Sequence, residues 1–529
     1  MNISRRMAVQ AALAGAAASP VLAAPPRFGA GIEGQRKADR GDGTYLNPIV
    51  PGDHADPTIL KDGADYWMTF SSFQSYPGAV IWHSQDLVNW TPVTAALQQP
   101  IGTVWAMDLI KHQGRYYLYI PVLQDAGTGI YVIHADDIHG PWSAPIDLKI
   151  PGCIDPGHVV GEDGKRYLFV NGGRRVRLKD DGLATDGPLE ANAWTPWQYP
   201  KDWVVEMFAP EGPKLFRRGE WFYLVSAVGG TAGPPTSHMV TVARARSVNG
   251  PWQHCPYNPI VRTQSADEPW WSRGHASVVE GPAGDWWMVY HGYENGMRTL
   301  GRQALLEPIE WTADGWLRAK GGRLDQPLPK PRGGKASRAG FALSDDFSSG
   351  RLGLQWAFHA PAPDEAQRLR FEDRTLVIRG KGKSLPDSSP LTCATGDRSY
   401  EVTVELEISG SDPHSHGGLA LFYEERGHVG IAFSTTQLLT YGYGQEHSWM
   451  RQPMATHRVH IRLVNRENVV TWHYSHDGGG SWTQHHWQME VSGLHHNVFG
   501  GFVSLRPALF SAGNGEVRVR NFIYKGLPA

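Results

Sequence analysis

Five ionisable side chains recur at matching places along the chain: Asp56, Asp108, Asp155, Glu211 and His275. Each stands at the head of a short, mostly apolar run (PTIL, LI, PGHVV, GPKLF, ASVV) that leads to a glycine turn and an aromatic strand. A single acid in such a place is ordinarily a turn or capping residue. Five in register point to chemistry if the strands they head converge on one another. Carboxylates brought together repel, so some are held protonated while others stay ionised, and their pKa values separate. That separation lets an acid and a base work side by side at one pH. One carboxylic acid can then protonate a leaving oxygen while a carboxylate activates water.

Elements able to bring the five together are visible as an internal repeat. A glycine turn followed by an aromatic strand occurs in DGADYWMTFSS (62–72), QGRYYLYIPV (113–122), DGKRYLFVNG (163–172), RGEWFYLVSA (218–227) and AGDWWMVYHG (283–292). Three copies run on into a tryptophan-bearing turn: HSQDLVNW (83–90), HADDIHGPW (134–142) and ARARSVNGPW (243–252). Units of roughly fifty residues built from short strands and Gly/Pro turns predict β-propeller blades. Five blades fill 44–325. Their innermost strands run along a central channel, so residues at equivalent positions share one funnel.

After LDQPLPKPRGGKASRAG (324–340) the pattern changes, and Pro, Gly and Lys mark 326–342 as a linker. Beyond it, YEVTVELEI (400–408), GLALFYEE (418–425), HRVHIRLV (457–464) and GEVRVRNFIY (515–524) alternate apolar and polar residues. They predict an antiparallel β-sandwich over 343–529. The fold class is therefore all-β, a five-bladed propeller followed by a sandwich. The three prolines of the short linker favour docked domains over tethered ones.

Composition narrows the partners. The 529 residues carry a formal net charge of -2, too neutral for a nucleic-acid surface. Trp (21), Tyr (19) and Phe (17) are plentiful while charged residues are only 19%, a balance that suits strands and surfaces on which sugar rings stack. Cys153, Cys255 and Cys393 lack the spacing of a metal knuckle or disulfide framework and read as buried thiols. Residues 1–24 carry Arg5 and Arg6 before an alanine-rich run and small residues up to Ala24, the pattern of a twin-arginine export signal. The expectation is a periplasmic or secreted bacterial protein with no membrane span after cleavage. Its oligomeric state is open.

The motifs NPIVPGDHADPTI around Asp56, WAMD at 105–108, IDPG around Asp155, PEGPKLF around Glu211, RGHASVVE around His275 and LGRQALLEPIEW at 300–311 together resemble glycoside hydrolase family 43. The second domain looks like the concanavalin-like jelly roll that accompanies many of its members. The resemblance implies an inverting enzyme with Asp56 as general base, Glu211 as general acid and an ionised Asp155 that tunes and orients the acid. It implies Arg302 near the bound sugar, with Trp105, Asp108, Phe73 and Thr231 as candidate walls of its pocket. His275 matches a histidine that in some relatives helps hold a structural calcium ion, and no cofactor is required. The sequence departs from the usual pattern at Met107, Gly157 and Ala276. The Trp-rich stretch at 173–210 leads into Glu211 and is expected to shape the pocket rim.

The expected activity is exo-acting release of xylose from the non-reducing ends of xylo-oligosaccharides or plant hemicellulose. An α-L-arabinofuranosidase acting on arabinoxylan, arabinan or xyloglucan side chains is the alternative within the class. A non-catalytic carbohydrate-binding protein is the alternative outside it.

Overall fold

The glycine of each repeat, Gly63, Gly114, Gly164, Gly219 and Gly284, has a φ between 59° and 84°, which only a residue without Cβ adopts freely. Each thereby closes the hairpin between the first and second strands of a blade. The computed structural model describes residues 26–410, 412, 414–454 and 456–528; the export signal expected over 1–24 lies outside them. Within these residues the chain forms the expected five antiparallel blades.

The inner strands are Thr58–Asp62, Asp108–His112, Gly157–Val160, Glu211–Arg218 and Trp270–Glu280, and each packs beside the next around the ring. The second strands, Asp65–Thr69, Arg115–Gln124, Arg166–Val170, Trp221–Val228 and Trp286–Glu294, are the aromatic runs of the repeat. Their alternate faces pack against the neighbouring blades: Tyr117 and Tyr119 join one interblade cluster, Leu118 and Ile120 another. The third blade has only three strands, because after Leu178 the chain leaves the sheet for the insert that returns at Glu211.

The ring is closed by its own N-terminal segment. Val50 bridges Ala304 of the last blade, Ile49 N–H donates to Ala304 O at 2.9 Å, and the Asn47 amide exchanges two hydrogen bonds with Leu306. Leu328–Pro329 then pairs with Thr44–Tyr45, so the start of the linker lies back on the propeller. Lys330 continues this attachment with Asp39 at 2.6 Å and Asp86 at 3.1 Å.

The C-terminal domain is an antiparallel sandwich with the predicted strands at Ser399–Ser409, His416–Glu424, Arg458–Arg466 and Glu516–Gly526. Val402, Val404 and Leu406 alternate inward and meet Leu419, Leu421 and Ile431 of the facing sheet. One sheet does not end in its own domain. Its strand Trp356–His359 pairs with Ser75–Tyr76 of the first blade, and Phe73 and Ala55 of the propeller belong to the sandwich core. The three cysteines are buried free thiols, as expected.

Candidate active site

Four blades distort their backbone where the site residues begin. Asp56, Asp155 and His275 have φ values of 58°, 56° and 58°, and Gly212, next to Glu211, has 60°. A left-handed φ costs a non-glycine residue about 1–3 kcal/mol and persists only where the surroundings impose it. The fourth and fifth inner strands also shift register, between Glu211 and Lys214 and on both sides of Gly274, as bulges that re-aim side chains. Gly212 admits the His275 ring, since a Cβ there would lie 2.8 Å from Nε2.

Asp56 is buried and fully engaged. Arg302 donates to both of its oxygens, at 2.9 and 3.3 Å, and Ser71 Oγ donates to Oδ2 at 2.6 Å. Its amide donates to His291 Nδ1 at 3.1 Å. Burial alone would raise its pKa; Arg302 above all overrides that and holds the carboxyl well below the usual range.

Glu211 keeps 23% of its side chain exposed and has the opposite bias. Desolvation first, then repulsion from Asp155 and Asp56, pushes its carboxyl well above the ordinary value. Asp155 lies between these extremes. Its Oδ2 accepts the Gly212 amide at 3.1 Å, while burial and then Asp56 raise it to about 7. An Asp155 ionised throughout was expected. Loss of hydration outweighs its one backbone hydrogen bond, and it gives up its proton only around neutrality.

One imidazole nitrogen links the outer pair: His275 Nδ1 is 3.4 Å from Asp56 Oδ1 and 4.0 Å from Glu211 Oε1. Burial keeps His275, His238 and His291 neutral, driving the first to about 3 and the second to about 4. Donor atoms of Glu211, His238 and His275 lie within 4.8 Å of one another. They match a calcium ion poorly, because Ca²⁺ takes six to eight oxygen ligands and this set offers two ring nitrogens and one carboxylate. Ring nitrogens suit zinc-like ions better.

The other predicted residues divide. Arg302 holds Asp56 and lies beside Phe73, with its guanidinium 5.8 Å from the ring centre. Thr231 is buried on the loop that follows the fourth blade's second strand. Half-buried Trp105 packs against the sandwich core. Asp108 is a structural residue rather than a pocket wall: Lys214 Nζ and Thr58 Oγ1 donate to Oδ1 at 3.0 and 3.2 Å, and the His158 amide to Oδ2 at 2.7 Å. These bonds tie it to three other inner strands.

Residues absent from the sequence-based set complete the site. Ser71 follows the first aromatic strand, and His291 closes the fifth repeat motif, so the repeat itself could have pointed to both. Glu206 of the insert accepts the Ala232 and Gly233 amides at 2.9 Å each and adds to the negative field at Glu211. Phe502 comes from the sandwich. Its ring stacks on Phe73 at 6.2 Å and lies 5.1 Å from the Arg302 guanidinium.

Two carboxyls of opposite bias beside a single imidazole nitrogen, at the heads of inner propeller strands, are the arrangement that glycoside hydrolysis needs. The chain belongs to the glycosyl hydrolases of family 43, whose family model matches residues 45–317. Residues 344–524 match the beta xylosidase C-terminal concanavalin A-like domain. Relatives include a non-reducing end alpha-L-arabinofuranosidase from Bacteroides ovatus, 26% identical over 89% of this chain and 92% of that protein. A xylan 1,3-beta-xylosidase from a Vibrio species is 28% identical over 75% of this chain and 80% of its own length. Among solved structures, a xylan beta-1,4-xylosidase from Bacillus halodurans superposes with a TM-score of 0.80 at 24% identity, covering 91% of this chain and 99% of that one. That likeness establishes the shared two-domain fold.

Proposed function

We propose that this hydrolase is an inverting, exo-acting pentosidase that releases xylose from the non-reducing ends of xylo-oligosaccharides or plant hemicellulose. The observation that carries the reading is the opposite bias of two carboxyls near one imidazole, Asp56 held ionised and Glu211 held protonated. Asp56, oriented by Arg302 and Ser71, takes a proton from the attacking water as it adds to the anomeric carbon. Glu211 gives its proton to the departing glycosidic oxygen. A single displacement leaves the opposite anomer. Asp155, through the Gly212 amide next to Glu211, positions the acid, and its charge above neutral pH delays ionisation of Glu211.

Every step uses side chains of this chain, and none passes through a metal. Phe502, Phe73 and Arg302 on one side, and the insert around Glu206 on another, enclose the site in a way that suits a terminal sugar. The exported, periplasmic or extracellular location expected from residues 1–24 would meet such substrates. An α-L-arabinofuranosidase is the second reading, favoured by the Bacteroides ovatus relative, which covers nearly the whole chain.

A panel of nitrophenyl pentosides together with proton NMR of early xylo-oligosaccharide digestion tests the proposal. Stepwise release of α-xylose is expected. Early β-xylose would overturn inversion, mixed internal fragments would overturn exo action, and faster arabinose release from arabinoxylan would make the second reading the primary one.

A further inference from the structure

We propose that Asp53 and Arg506 are positioning residues: their buried ion pair across the domain boundary fixes the sandwich segment that carries Phe502 into the catalytic pocket. The inference rests on the pentosidase reading above for its kinetic arm only.

The segment running from His495 to Arg506 belongs to the sandwich and carries Phe502 to Arg302. A single helical turn, His496–Phe499, is followed by Gly500 and Gly501 at φ 80° and 85° and by Phe502 at 63°. Three consecutive left-handed residues form a tight loop with little intrinsic preference for one geometry. Phe502 is held within it by His496, whose ring stacks on the phenyl at 3.7 Å and whose Nδ1 accepts the Phe502 amide at 3.1 Å. This pairing orients the phenyl relative to the loop. It does not orient the loop relative to the propeller.

That second task is shared by Asn497 in the helical turn, whose side-chain amide donates to the Ala232 carbonyl of the propeller, and by the contacts at the other end of the loop. Asp53 Oδ2 accepts the Ser504 amide at 3.1 Å and Arg506 Nη2 at 2.6 Å, with only 1% of the Asp53 side chain and 11% of the Arg506 side chain exposed. Arg506 also donates to Ser75 Oγ at 2.7 Å and to Ser504 Oγ at 3.0 Å, spreading its fork over both domains. Leu505 N–H donates to Thr299 O at 2.8 Å. On the propeller side Asp53 packs against Gly301, where a Cβ would lie 2.8 Å from Oδ1. Gly301 adjoins Arg302, the residue that grips Asp56. The anchor of the loop and the anchor of the proposed base are thus neighbours in one rigid corner.

A buried ion pair contributes little net stability, but removing one partner leaves a stranded charge. Its worth here is geometric. The domains are also joined by Glu294 with Arg398, by Arg36 with Gly396 O and Asp397, by Thr299 Oγ1 with Asn468, and by the Ser75–Tyr76 strand pairing. Loss of the Asp53–Arg506 pair therefore loosens the end of the loop that carries Phe502 without separating the domains. A displaced Phe502 removes a wall that contacts ground state and transition state alike, which raises KM more than it lowers kcat.

The experiment uses the full chain carrying Arg506→Met, Asp53→Asn and Phe502→Ala, singly and combined, with kinetics and hydrogen exchange followed together. Asp53→Asn keeps an acceptor for the Ser504 amide, so it guards against outright misfolding of Arg506→Met. Expected are a fall in kcat/KM of roughly ten- to a hundredfold for Arg506→Met, mostly in KM, and faster exchange confined to 496–505. Arg506→Met added to Phe502→Ala should raise KM no further. Additive effects of the two substitutions, a loss mainly in kcat, or faster exchange throughout the sandwich would overturn the proposal. If the unaltered protein cleaves no pentoside, the functional reading fails and hydrogen exchange alone still decides the latch.

Discussion

At Asp56 and Glu211 the same chemical group is held in opposite protonation states, and the cause is local. Asp56 has a guanidinium and a hydroxyl to itself, whereas Glu211 has desolvation and two acidic neighbours. The two should fail differently. Glu211→Ala should cost roughly 10²–10⁴-fold on xylobiose and much less on nitrophenyl xyloside, whose leaving group departs without a proton; Asp56→Ala should abolish turnover of both. Equal losses on the two substrates for Glu211→Ala would remove it as the acid. Asp155 makes a pH prediction with a definite sign. Folded, it holds its proton to about 7, while unfolded it releases it near 3.8. Between those values the native state binds the extra proton, so its contribution to stability falls as pH rises. Asp155→Asn should therefore be more thermostable than the parent at pH 7 and show a flatter dependence of Tm on pH from 4 to 7. Its basic kinetic limb should move to lower pH, because the larger of the two aspartate charges that oppose ionisation of Glu211 is then gone. An unmoved limb would end the tuning role. Asp56, Asp155 and Glu211 were legible because each occupies the same place in a repeated motif, whereas Arg302 was legible only through the family resemblance of the 300–311 stretch. The loss of Asp108 to structure was not, since Lys214 supplies its partner from a blade 106 residues away in sequence.

Strand heads are the elements that aim this chemistry, and they are packed to backbone contact. The need for glycine at Gly157 is spatial: a Cβ there would lie 1.6 Å from Pro213 O. Pro213 sits inside the bulge that turns Glu211 toward the axis. Gly157→Ala should thus force apart the inner strands of the third and fourth blades, destabilising the protein by about 1–3 kcal/mol as overpacking does and lowering kcat through misplacement of Glu211. Thermal unfolding and kcat on nitrophenyl xyloside measure the two effects; an alanine variant with parental Tm and kcat would show that the strands have slack. Strands and turns were readable throughout, because glycine turns and alternation are local signals. The loop bearing Phe502 was not. Its sequence, HHNVFGGF, has no periodicity, and its role exists only once a second domain is laid against the first.

At the scale of the whole molecule, the catalytic propeller is not a self-contained unit. Phe73 and Ala55 are buried in the sandwich core, Ser75–Tyr76 serves as an edge strand of a sandwich sheet, and Phe502 walls the pocket from the other side. Docking was foreshadowed by the short, proline-bearing linker, but which surfaces meet depends on contacts between residues hundreds of positions apart, and no local pattern encodes them. The consequence can be tested by ending the chain after residue 325. Truncation would bare Phe73, Ala55 and Trp105, leave Asp53 and Glu294 without their arginines from the sandwich, and open an unpaired strand edge at Ser75–Tyr76. An apolar patch beside a free edge is an aggregation surface. The truncated propeller should accordingly elute as aggregate or as a destabilised monomer on size-exclusion chromatography. Any soluble fraction should bind xylose more weakly than the full chain, because the Phe502 wall is gone while Asp56, Asp155 and Glu211 remain. Separately expressed sandwich, added in excess, should restore solubility and lower KM together if docking alone supplies both. A soluble truncated enzyme with the full-length KM on xylobiose would mean that the propeller shapes its pocket unaided.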